Sequence, residues 1–450
     1  MKIGNLVFIF LMFVGTTVDA QNRPLTFYEA VKIALKNNIQ LNQQRNNLAN
    51  SQVQKTAAWA GLAPTLSANA SALQVNGNFF NQNEGKVVNG LFDQFSGSLN
   101  AQVNLFNGFN RISQIKQNGT QLEAQLHFVH RTEQDAINTV TTQFLQVLLD
   151  VELLRIANEN WEALKKQLEQ VTEQVNVGAR SPVDQYNQDS QTKAAEIRAL
   201  QAEINLINNK ALLSQTLLLD PSDGFDVVKP DWEINSISSD EMELKAAYET
   251  ALKNRGDYLR AEKNELSSKF ALNAARGNYS PSLTGFWSMN SAYNKLASDL
   301  TAAPFDTQFY TDNLRRTYGV QLFIPILGGN TIFQNRANVY QQKTTYLNNK
   351  ILRQNAEILV KTDVLRAYQN FKLVKRTFAV TLSQLEAAEM AFRLETERYN
   401  LGVTNFVDYQ NANRVFVQAQ ADKAQAEVRL LFQKVVVAYA AGTLKPEDLQ

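Results

Sequence analysis

The chain contains no cysteine and only two histidines. No disulfide, no thiolate metal site and no lipid on an N-terminal cysteine is therefore expected. Proline and glycine are also scarce, 9 and 19 in 450 residues, and they cluster at a few turns, which leaves room for long helices. No sign of charge dominates. With 44 basic and 43 acidic residues the net charge is +1, which argues against nucleic acid as a partner. Long hydrophobic runs are missing too: the longest, Leu6 to Val14, spans about nine residues, whereas a membrane-crossing helix needs about 20. That run follows Lys2 and precedes Val18-Asp19-Ala20, so residues 1–20 read as a secretory signal, with Gln21 beginning the mature chain. A transmembrane β-barrel stays open, because its strands need only about 9–11 alternating residues.

What the sequence does contain is a duplication. Ala34-Leu35-Lys36-Asn37 recurs as Ala251-Leu252-Lys253-Asn254, Ala57-Ala58 as Ala274-Ala275, and Pro64-Thr65-Leu66 as Pro281-Ser282-Leu283. All three matches share one shift of 217 residues. A repeat this long means two copies of one large unit, not a short-period solenoid. The copies span 25–225 and 236–450 and build one intertwined domain, with Asp220-Pro221-Ser222-Asp223-Gly224 and the Pro230 region as linker.

Each copy predicts a helix, a strand pair, a very long helix and a returning helix. Helical periodicity runs from near Leu25 to about Ala63, where Pro64 stops it. The period then becomes two: Leu66, Ala68, Ala70 and Ala72 alternate with polar residues, as do Leu99, Ala101, Val103 and Leu105. A polar loop from about Val75 to Ser96 joins these strands. In the second copy the apolar sets are Leu283, Gly285, Trp287 and Met289, then Tyr318, Val320, Leu322 and Ile324. Glycine turns at Phe106-Asn107-Gly108 and Leu327-Gly328-Gly329 lead out of the strands.

The long helices run from about Ile112 to Val177 and from about Thr331 to Asn400. At 1.5 Å per residue each is a rod of roughly 100 Å. A coiled-coil seam in the first follows Ile137, Val140, Phe144, Val147, Val151 and Leu154, then Trp161, Leu164, Leu168, Val171 and Val175, with a polar gap near Asn158. The rods end in matching turns, Val177-Gly178-Ala179-Arg180-Ser181-Pro182-Val183-Asp184 and Leu401-Gly402-Val403-Thr404-Asn405-Phe406-Val407-Asp408. Returning helices follow, to about Leu219 and Tyr439.

Four strands with one apolar face cannot close a barrel. In hydrocarbon an open sheet edge costs several kcal/mol per unpaired backbone group, and bacterial barrels have at least about eight strands. Two chains would supply eight strands and three would supply twelve. The fold class expected is mainly α with a small β part: a long coiled-coil helical assembly plus four strands per chain contributed to a shared barrel.

The duplication, the strand-pair inserts, the rod-length helices and the paired Val/Leu-Gly turns followed six residues later by aspartate resemble the TolC-like outer membrane efflux proteins. The resemblance covers about Leu25 to Leu444. It implies a homotrimer with a twelve-stranded outer-membrane barrel and a helical tunnel through the periplasm. It further implies a passive exit duct for an inner-membrane drug pump or a type I secretion system, reached through a periplasmic adaptor. Asp184 and Asp408 fall at the family's aperture aspartates, and Tyr399 at a tyrosine of its closing network. Thr404 replaces the family's arginine, while Arg180 holds the corresponding place in the first copy and Asn411 replaces a second ring aspartate. Val177, Gly178, Ala179, Leu401, Gly402 and Val403 fall at the adaptor-docking turns.

Plainer readings stand beside these. Ser181 to Asp184 and Asn405 to Asp408 are capping patterns, and Gly178 and Gly402 suit helix ends. His127 and His130 could make half a zinc site, but as surface or packing residues they need no metal. No nucleophile with its base and no glycine-rich phosphate loop stands out, so no enzyme, cofactor or metal is expected. A periplasmic coiled-coil adaptor or scaffold would leave the two strand pairs without purpose. A freestanding porin would leave the rods unexplained.

Overall fold

The computed structural model describes residues 23–81, 85–220, 224–230, 232, 243–296, 302–326 and 329–449. The secretory signal, linker residues 221–223 and the Leu327-Gly328 turn lie outside them. Two compact units emerge, and each draws on both sequence copies: residues 1–42, 133–247 and 364–450 in one, 43–132 and 248–363 in the other.

Helix α1 (Phe27–Asn37) starts at a capping box that sequence reading missed, with Thr26 accepting from the Glu29 amide and Glu29 reaching back to the Thr26 amide. The single helix expected from Leu25 to Ala63 is two. Asn38 is extended (ψ 121°), and its side chain accepts from the Leu41 amide at 2.9 Å, starting α2 (Ile39–Ala60). The second copy breaks in register. There α5 (Leu244–Asn254) and α6 (Gly256–Gly277) flank Arg255, also extended (ψ 116°). The break follows the duplication, since α5 and α6 begin and end 217 residues after α1 and α2.

The first unit has a short parallel pair, β1 (Arg23–Leu25) with β4 (Phe225–Val227), where a helix start and a linker were expected. Beside it lies the aromatic core. Phe27 meets Phe144, Trp232 and Phe432 edge-on at 5.0 to 5.5 Å. Helix α3 (Asn110–Asn176) supplies Ile137, Val140, Phe144 and Val147, all buried as the seam predicted. Val151 instead is exposed, and burial resumes at Ile156, Leu164 and Val171. A straight helix drifts about 20° per heptad, so a strict seven-residue stripe loses its partner unless it shifts phase. Helix α4 (Pro182–Leu217) returns from the first turn. The returning helix expected to reach Tyr439 also divides, into α9 (Phe406–Leu431) and α10 (Gln433–Ala441), because Phe432 leaves helical geometry to enter the core.

The second unit holds a four-stranded antiparallel sheet, ordered β2 (Thr65–Asn81), β3 (Lys86–Asn107), β5 (Ser282–Leu296), β6 (Arg315–Phe323). Within the expected polar loop from Val75 to Ser96, residues 75–81 and 86–96 are strand instead, paired out to Asn81 and Lys86. Its polar residues bond across the ladder: Ser71 to Ser96 at 2.7 Å, Gln74 to Asp93 at 2.6 Å, and Asn78 to Asn89. A bulge at Leu105 shifts the register so that Phe106 opposes Leu283. Before β6, a turn of helix α7 (Phe305–Thr307) runs into a π turn at Gln308–Asp312. It covers the edge of β5 that β6 leaves open, Gln308 and Asn313 bonding the backbone of Asn294 and Ala292. From the sheet the chain enters α3 and, in the second copy, α8 (Gly329–Asn400). Among the described residues no helix is long and apolar enough to cross a membrane.

Candidate functional site

Both long helices end in the same local geometry. Gly178 (φ 76°) and Gly402 (φ 72°) adopt the left-handed conformation that glycine tolerates. The following amides reach back to orphan carbonyls, Ala179 to Gln174 at 2.7 Å and Val403 to Arg398 at 2.9 Å. The next helices are capped by Ser181, which accepts from the Val183 amide, and by Asn405, which accepts from the Asp408 amide at 2.9 Å. Local hydrogen bonding thus fully accounts for the turns, yet they leave large apolar side chains in water. Val177, Leu401 and Val403 are 77, 79 and 66 % exposed, and Val183 and Val407 beside them are exposed as well.

Of the aperture residues expected from sequence, the structure brings two together across the copies. The Arg180 guanidinium lies 4.1 Å from the Tyr399 ring centre and donates to the Tyr399 carbonyl at 3.0 Å. Among the described residues Arg180 makes no ion pair with Asp184. Tyr399 is buried, and burial pushes its phenol above the ordinary value while Arg180 pulls the other way. Tyr399 also stacks on Tyr409 at 4.8 Å, and burial pushes the Tyr409 phenol up to about 12. The stack continues through Phe392 to Phe416, an aromatic ladder that the sequence analysis did not pick out. Asp408 sits in the cap, its carboxylate accepting from Asn405 at 3.0 Å and Thr404 at 3.4 Å. Asn411 accepts from Arg414 at 2.9 Å. Also unexpected is Gln188, fully buried, donating to the Leu164 carbonyl and accepting from Gln410.

In the other unit, the sheet sorts its side chains by face. Leu66, Ala101, Trp287 and Tyr318 stand opposite one another on one face, and Val103, Gly285 and Val320 share it. The other face carries the rows Ser67, Asn100, Ser288, Thr317 and Asn104, Thr284, Gln321. Leu66, Tyr318, Val320 and Leu322 are 71, 82, 63 and 59 % exposed in the single chain. On β2 the apolar set ends at Ala72; beyond it this face carries Gln74, Asp93 and Lys295. Seven residues at about 3.3 Å each is about 23 Å, close to the height of an outer-membrane barrel's apolar band. Aromatic rings gather at its end, Phe305 and Phe309 packing on Phe95 and Phe305 on Tyr293.

No cluster of three or more His, Asp or Glu side chains among the described residues could hold an ion. Burial, with Lys263 next, lowers the His127 pKa.

Comparison with known proteins agrees with this geometry. A sequence model of outer membrane efflux proteins matches residues 30–217 and 247–443. Outer membrane protein TolC of Escherichia coli (strain K12) is 21% identical over 324 residues. That match covers 71% of this chain and 64% of TolC, so it spans a little under two thirds of this curated relative. The outer membrane protein VceC of Vibrio cholerae superposes with a TM-score of 0.79 at 13% identity, covering 92% of this chain and 96% of VceC. The Campylobacter jejuni CmeC outer membrane channel gives 0.76 at 16% identity, with 94% and 88% covered.

Proposed function

On the premise that this chain belongs to the outer membrane efflux protein family, we propose that it is a passive exit duct of the outer membrane. It serves a tripartite efflux pump or a type I secretion system, as a homotrimer. The observation that carries the reading is the sheet: four strands, one apolar face exposed over about 23 Å, and outer edges on β2 and β6 that no other described strand pairs. Such a sheet is stable in hydrocarbon only when its edges close. Pairing β6 of each copy with β2 of the next, three times, gives a twelve-stranded barrel whose apolar face meets lipid and whose hydroxyl and amide face lines water. The duplication from 25–225 to 236–450 supports this, because each copy contributes one strand pair and one long helix hairpin to the same closed assembly. A periplasmic adaptor or scaffold has no use for a lipid-exposed sheet.

At the periplasmic aperture, the Arg180–Tyr399 contact is the clasp that holds the two helix hairpins of one chain together, with Asp184, Asp408 and Asn411 around it. The exposed aliphatic groups of the turns, Val177, Ala179, Leu401 and Val403, with Gly178 and Gly402 shaping their backbone, are the docking points for a periplasmic adaptor that links the duct to an inner-membrane pump.

Mass measurement on protein extracted in detergent from the outer-membrane fraction tests the reading. A trimer beginning at Gln21 is expected; a monomer would overturn it.

A further inference from the structure

We propose that the water-facing side of the barrel carries an oxyanion-binding ring made by Arg315 from each of three chains. The inference rests on the trimeric reading above. Arg315 opens β6 and stands in register with Asn290, Ser98 and Asn69, the row that continues the hydroxyl and amide face. These residues line one open recess of about 480 Å³ together with Ser71 and Ser96. Arg316 is one residue out of step, opposes Met289 and so belongs to the apolar face.

Arg315 is exposed and has no ion-pair or hydrogen-bond partner among the described residues. The one carboxylate on the described strands of this four-stranded sheet, Asp93, is on the opposite face with Gln74 and Lys295. Asp306 and Asp312 belong to the segment whose Phe305 and Phe309 pack on that same opposite face. Among the described strand residues of this sheet, the only other charge in step with Arg315 is Lys86, near the hairpin end of β3. The face that lines water is therefore positive or neutral throughout the described strands.

Threefold symmetry sets three guanidinium groups at one height. Each offers planar paired donors that match phosphate, sulfate or carboxylate oxygens, and neighbouring Ser and Asn side chains add neutral donors. A low-dielectric wall focuses their field, and its reach falls with salt because the screening length is about 10 Å at 0.1 M. The class of ligand is a multivalent oxyanion, or cargo carrying such groups as it leaves.

The test uses the full trimer in planar bilayers, with tripolyphosphate added on the barrel side. At low KCl, tripolyphosphate should block wild-type current, with hexaamminecobalt as the cationic control on that side. Arg315→Gln should weaken the block at least about tenfold, and Arg315→Lys should keep part of it. Since the chain has no cysteine, Arg315→Cys provides a single thiol. Attaching a cationic thiol reagent to it should restore the block within the same folded protein, while an anionic reagent should not. An Arg315→Gln trimer blocked like the wild type, a wild-type trimer that conducts unblocked, or a folded Arg315→Cys trimer unaltered by the cationic reagent would each overturn the ring. Failure to obtain any oligomer would count instead against the trimeric reading.

Discussion

Arg180 and Tyr399 lie 219 residues apart and meet through a ring-face contact and one hydrogen bond to the Tyr399 carbonyl. A cation over a partly desolvated ring contributes about 1–2 kcal/mol, and the hydrogen bond about another. Arg180→Ala should therefore loosen the clasp and raise the resting conductance of reconstituted trimers, whereas Tyr399→Phe, which keeps ring and carbonyl, should leave it near wild type. Asp408→Ala should weaken cation selectivity at low salt more than Asp184→Ala, measured as reversal potential in a KCl gradient. Unchanged selectivity in a folded Asp408→Ala trimer would move the constriction elsewhere. The helix-ending glycines give a further contrast. A Cβ on Gly402 would meet nothing within 4 Å, so Gly402→Ala carries only the strain of a positive φ, about 1–2 kcal/mol.

Gly108 behaves differently, because it turns the strand into the long helix. With φ 63°, its added Cβ would lie 2.3 Å from the Gly277 carbonyl oxygen and 2.5 Å from Ser280 Cβ. Backbone cannot yield as a flexible side chain can, so Gly108→Ala should abolish trimer yield where Gly402→Ala lowers it little; gel analysis of membrane extracts decides. The strand faces make a second element-scale prediction. Val103→Arg or Leu322→Arg places a charge against lipid at about 2–4 kcal/mol near the midplane, and trimer yield should fall. Gln102→Arg and Gln321→Arg meet water and should assemble normally. Equal loss in both sets would reverse the faces.

For the whole chain, several paired carboxylates set the response to acid. At Asp257 burial opposes the charged form, but the Arg255 hydrogen bond outweighs it and the pKa ends lowered. Burial is likewise outweighed at Glu427, by hydrogen bonds from Lys229 and Lys423. A lowered carboxylate pKa contributes stability that is present at neutral pH and lost as pH falls through the depressed value. Thermal midpoints should therefore stay level down to the ordinary carboxylate range and drop below it. Arg255→Met should lower the midpoint at neutral pH and flatten that acid decline, because Asp257 and Asp363 are then left facing each other. A midpoint unchanged at neutral pH would assign no stabilising role to Arg255.

Much of this molecule is written in short-range pattern. A strand shows itself every two residues and a helix about every 3.6, so Leu66 to Ala72 and Ile137 to Val147 could be read directly, and the 217-residue shift tied the copies together. The turns at Gly108, Gly178 and Gly402 were equally legible, since a positive φ limits the choice of residue. The polar stretch from Val75 to Ser96 was not, because its serines, glutamine and asparagines look like loop until a partner strand supplies their hydrogen bonds. The break at Asn38 rests on a local cap, its own side chain on the Leu41 amide, whereas the break at Phe432 was hidden because its core socket is built by residues distant in sequence. The clasp shows the limit most clearly. Its members were singled out one by one, but Arg180 choosing the Tyr399 ring over the nearby Asp184 depends on how two helix hairpins pack, and no local periodicity encodes that. Sequence alone determined the long helices, the strand pairs and which faces are apolar; tertiary packing decided where those elements extend or break and which side chains from the two copies meet.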